Sequence, residues 1–121
     1  MRVVILDNLD QPNKNGHIYT TELIQKIVDE FKDKQVFGQL GIPKDMSSSI
    51  DLTQVTHYVT NPRIENNSLV GDVKVIKDPA LMEQFSNLQF GFRPTGFGAL
   101  KEDGTVYDYT LRSIDFVHEP A

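Results

Sequence analysis

Apolar and polar positions along the chain change period several times, and each change predicts an element. Met1–Leu6 is a short run rich in Val and Ile, read as a β-strand. After a polar loop, Asp7–Gly16, the residues Leu23, Ile24, Ile27, Val28 and Phe31 recur at helical spacing, while Gln25, Lys26, Asp29, Glu30 and Lys32 fill the opposite face. Thr20 or Thr21 is placed to cap that helix with its hydroxyl, and Glu22 sits in the first turn, where the helix dipole favours a negative charge. Val36–Leu40 reads as a short strand, followed by a loop over Gly41–Asp51 that contains Pro43 and the run Ser47-Ser48-Ser49. Thr53–Thr60 alternates, with Val55, His57 and Val59 on one face. Arg63–Glu65 and Leu69–Ile76 form a hairpin whose turn is Asn66-Asn67, since Asn tolerates the positive φ such turns require.

Asp78-Pro79 predicts a second helix, with Asp as cap and Pro at the first helical position, and Leu81, Met82 and Phe85 supply its apolar face. Leu88–Phe92 alternates as a strand with Leu88, Phe90 and Phe92 on one side and Arg93 turned away. Asp103-Gly104 is a hairpin signal, and Thr105–Val117 is the last strand. Strands outnumber helices and most connections are short. The expected fold is therefore α+β: a compact, mostly antiparallel β-barrel with one long and one short flanking helix. Residues 1–121 are read as one domain.

Composition narrows the function classes. A net charge of −5 with 12 scattered basic residues argues against a nucleic-acid footprint, which needs clustered Lys and Arg. The absence of cysteine removes disulfides, thiolate metal sites and thiol nucleophiles. The longest apolar run, Val3–Leu6, is too short for a membrane span or for a signal-peptide core, so no membrane partner is expected. His17, His57 and His118 lie too far apart in sequence to suggest a zinc site, and Gly91, Gly96 and Gly98 lack the Lys-Ser/Thr that a phosphate-binding P-loop requires. No cofactor is expected.

Six stretches, in order, resemble one family. They are N-G-H-I-Y at Asn15–Tyr19, F-G-Q-L-G-I-P at Phe37–Pro43, T-H-Y-V-T at Thr56–Thr60, Leu69–Pro79 ending V-I-K-D-P, F-G-F-R-P-T-G-F-G at Phe90–Gly98, and S-I-D-F-V-H-E-P at Ser113–Pro120. Together they are similar to the tailed-phage prohead (head-maturation) serine proteases, distant relatives of herpesvirus assemblin. The resemblance implies that Phe90–Gly98 is the loop that carries the nucleophilic serine in the family. Here those positions hold Arg93 and Pro94, neither with a hydroxyl. The family histidine falls on Ile42, which cannot accept a proton, and the arginine after the serines falls on Thr95. Asp115 matches an acidic position in the last strand. A serine protease needs a hydroxyl, a base and a group to orient the base, so the resemblance implies a fold kept without its chemistry.

Three function classes follow. The first is a catalytically inactive phage protein that acts by binding a protein partner, as a head scaffold or core component or against a host or defence target, with a candidate groove of Ile42, His57, Arg93 and Thr95. It would reside in the prohead or the host cytoplasm, with a homo-oligomer as one option. The second is a hydrolase with a relocated site built from His57, Asp115 and Ser113 or Thr95. The third is a small-molecule or nucleotide-binding module that uses Arg93, whose guanidinium suits carboxylate or phosphate.

Overall fold

The two periodicities of the sequence resolve into six strands and two helices in the computed structural model, which describes residues 1–44 and 50–118. Their order is β1 (Arg2–Leu6), α1 (Thr21–Phe31), β2 (Val36–Gln39), β3 (Val55–Glu65), β4 (Ser68–Val75), α2 (Pro79–Ser86), β5 (Phe90–Leu100) and β6 (Val106–His118). The Ser47–Ser49 run lies outside the described residues. Every ladder between neighbouring strands is antiparallel.

The strands form two sheets, one of order β1-β4-β3-β2 and a β5–β6 ribbon. The expected closed barrel is not detected among the described residues. The sheets meet at the end of β2, where a single parallel bridge joins Leu40 to Phe116, and β1 packs near β5 without a ladder. Pro94 lies inside β5 and has no N–H to donate, a residue type that strands tolerate at an edge.

Local chemistry accounts for the element ends. Thr20 Oγ1 accepts the N–H of Leu23 at 3.1 Å and caps α1, whose Ile24 and Ile27 are buried. Asn66 and Asn67 both have positive φ and close the β3–β4 turn as expected. β3 is longer than its sequence pattern suggested. Asn61, at φ 51°, absorbs a register shift between Thr60 and Arg63, so the segments read as separate form one strand. Asp78 precedes Pro79 as expected, but its backbone is left-handed and its side chain makes no cap bond. On α2, Met82 is buried, whereas Leu81 and Leu88 are exposed.

The largest departure concerns Phe90–Gly98. It is a strand rather than a loop, paired along its length with β6. Phe92 opposes Phe116 and Pro94 opposes Ile114. On the other face Arg93 opposes Asp115 and Thr95 opposes Ser113. Phe92, Ile114 and Phe116 join Ile5, Leu9, Ile24 and Val59 in the core. Replacing Phe92 with alanine is expected to cost about 3–5 kcal/mol as a large-to-small core change. Arg93 is half-buried on the opposite face, and Arg93→Ala should cost roughly 1 kcal/mol or less. Equal losses in urea melts would refute this register.

Candidate functional site

The sequence-derived candidates lie around the meeting of the two sheets, on strands except for Ile42, which follows β2, and burial divides them. β6 contributes Asp115, which is fully buried. A buried carboxylate is costly unless hydrogen-bonded, and this one accepts from three sides. Thr95 Oγ1 of β5 donates to Oδ2 at 2.5 Å, Ser113 Oγ donates to the same oxygen at 2.8 Å, and the Gln39 N–H at the end of β2 donates to Oδ1 at 3.0 Å. Alternation on β6 puts Ser113 and Asp115 on one face, and cross-strand pairing adds Thr95. Arg112, at a register shift in β6, donates from Nη1 to Ser113 Oγ at 3.2 Å.

His57 on β3 is also fully buried. Its Nε2 lies 2.7 Å from the Ile114 carbonyl oxygen, which can only accept, so Nε2 carries the proton. Nδ1 then accepts from Thr56 Oγ1 at 2.9 Å. Burial pulls the imidazole below its ordinary pKa and keeps it neutral, although the Ile114 bond and the charge of Asp115 pull the other way. The ring packs edge-on against Phe92, with centroids 5.0 Å apart. Both nitrogens are thus committed, and neither faces Ser113 or Thr95. The relocated triad does not assemble: its acid and two hydroxyls meet, and its base points elsewhere.

Gly38 makes this approach possible. A Cβ at Gly38 would sit 1.7 Å from the Ile114 oxygen and 2.5 Å from His57 Nε2, so only glycine lets β2 lie this close to β6.

The open space lies beside this buried cluster. A cleft of about 470 Å³ is lined by Gln39 and Leu40 from β2, Ile42, Pro43 and Lys44 after it, Asp51 and Gln54 before β3, and Arg112 from β6. Ile42 is 61% exposed. The cleft includes Ile42 and not the other three proposed groove residues. His57 and Thr95 are buried and do not line it, and Arg93 is half-buried on β5, close enough to affect Tyr19 and Tyr109. Burial raises both phenols, and the Arg93 charge partly offsets this. Gln39, Gln54 and Arg112 were not among the sequence candidates. A bulge and a loop seam bring them together, and neither leaves a sequence pattern. Among the described residues no cluster of His, Cys, Asp or Glu is placed to hold a metal, and no helix is long and apolar enough to cross a membrane.

The N-G-H-I-Y stretch has a structural role. Ile18 N–H donates to the Gly104 carbonyl and Ile18 O accepts from Val106, so the loop clasps the β5–β6 turn.

No protein-family model and no curated protein sequence matches the chain. Among solved structures, the capsid assembly protease of bacteriophage T4 superposes with a TM-score of 0.79 over 97% of this chain and 79% of that one, at 20% identity. The chain has a prohead-protease-like fold. The likeness spans nearly the whole of this chain. At this identity it speaks to the fold, and the chemistry has to be argued from the residues.

Proposed function

We propose that this protein is a phage head protein that keeps the capsid-protease fold and works by binding rather than by cleaving peptides. One observation carries the reading: among the described residues no histidine lines the cleft. Ile42 occupies the position that the family resemblance gives to the base, and it stands exposed at the cleft. Arg93-Pro94, at the position of the nucleophile, is built into a strand. The buried histidine has spent both ring nitrogens on Thr56 and Ile114. Apolar side chains beside arginine are the mixture that binding hot spots favour, and Leu40, Ile42, Pro43 and Arg112 give the cleft that character. The setting that follows is the prohead or the host cytoplasm.

The test mixes the purified protein with the scaffold and major capsid proteins of its phage and follows both chain length and complex formation. The expected result is intact partners and a complex with one of them, weakened in the folded double variant Ile42→Asp, Arg112→Glu. Specific cleavage, or labelling of Ser113 or Thr95 by a fluorophosphonate probe, would overturn the reading in favour of a hydrolase.

A further inference from the structure

The two sheets are fastened to each other over a short stretch. Hydrogen bonds cross the seam at Ile114, which accepts from His57 Nε2, at Asp115, which accepts from Gln39 N–H, and at Phe116, which accepts from Gly41 N–H at 2.8 Å. The same stretch forms the walls of the cleft, with Gln39 and Leu40 on the four-stranded sheet facing Arg112 on the ribbon. Whatever sets the width of the seam therefore sets the width of the cleft.

We propose that His57 is a pH-responsive bolt on this seam, and that acid loosens the seam and opens the cleft that straddles it. The ring is fully buried, packed edge-on against Phe92 and close to Gly38. An imidazolium here would need Thr56 Oγ1 to turn and accept from Nδ1, and its charge would sit among apolar groups. Asp115 on β6 is the charged group acting on the ring, and it favours the imidazolium; Thr56 on β3 and the backbone of β2 bring none. Desolvation outweighs that help, so the folded ring binds its proton less readily than an unfolded histidine. The sign follows. The seam is fully tight above the unfolded histidine pKa of about 6.5 and loses stability as pH falls below it. Opening the seam hydrates the ring and relieves the cost, and the bonds of Gln39 and Gly41 are lost with it. The effect on partner binding rests on the function proposed above, whereas the seam itself does not.

The experiment measures amide hydrogen-exchange protection, corrected for intrinsic rates, between about pH 7.5 and pH 5.5. Gln39 and Gly41 should lose up to about tenfold of their protection relative to amides of the β3–β4 ladder. The midpoint should follow the titration of the His57 ring, read by NMR in the same sample. His57→Gln keeps a donor for Ile114 and an acceptor for Thr56 without a titrating proton, and it should flatten the response. Binding of the dye ANS should rise with acid in the wild type alone. Unchanged protection at Gln39 and Gly41, a loss shared equally by the β3–β4 ladder, or an undiminished response in His57→Gln would each overturn the proposal. Should the glutamine variant not fold, the wild-type comparison of seam with ladder decides alone. No partner protein is needed, so a seam that loosens while no head protein binds would reject the proposed function and leave the bolt intact.

Discussion

Gly38→Ala is expected to remove more than about 5 kcal/mol of stability, enough to abolish a folded population in most domains of this size. The added methyl collides with backbone, the Ile114 oxygen at 1.7 Å, rather than with the end of a flexible side chain. β6 must move away, and this breaks both the His57–Ile114 bond and the Gln39–Asp115 bond. Overpacking alone costs about 1–3 kcal/mol, and each buried group left unpaired adds about 1–3 kcal/mol. Urea melts measure the sum. A variant within about 1 kcal/mol of wild type would mean that β2 and β6 are not in contact at this point.

Asp115→Ala is the companion experiment. It strands the Gln39 N–H and the hydroxyls of Thr95 and Ser113, all buried or half-buried donors, at about 1–3 kcal/mol each. A total of about 5 kcal/mol is expected, since no rotation of the two hydroxyls finds Gln39 a new acceptor. Asp115→Asn should be milder. Its oxygen still accepts from Gln39, and the hydroxyls can turn to accept from its amide. Asparagine proving as damaging as alanine would show that the charge, and not the acceptor count, holds the cluster.

The elements carried by periodicity were legible before the structure. The face of α1, the Asn66-Asn67 turn and the Asp103-Gly104 turn all follow from residues a few positions apart. The meeting of Ser113 with Asp115 was within reach for the same reason, because alternation on a long last strand puts the two on one face. The barrel expectation went too far because closure depends on strands far apart in sequence finding a common register, and no local pattern encodes that. The family resemblance makes Phe90–Gly98 a loop, although alternation already reads its start, up to Phe92, as a strand. The opposing strand β6 overrides that expectation, supplying a partner for nearly every residue. Gly38 was readable in principle, since a glycine inside a β-branched and aromatic strand marks a close approach. What approaches it lies 76 positions away and could not be read.

That separation has a consequence for how the chain reaches its native state. The β3–β4 and β5–β6 hairpins close through turns of a few residues, so the chain gives up little entropy to form them. The seam joins Gln39 to Asp115, and β1 reaches β4 with Met1 bonded to Val73, 72 positions on. Contacts of such span form late, because the intervening chain must be ordered before they return any free energy. The hairpins therefore precede the seam, and the cleft, which has one wall on each side of it, comes into existence only with the final closure. Nascent or partly folded copies carry all the cleft residues but no cleft, so a partner that recognises it selects for finished molecules.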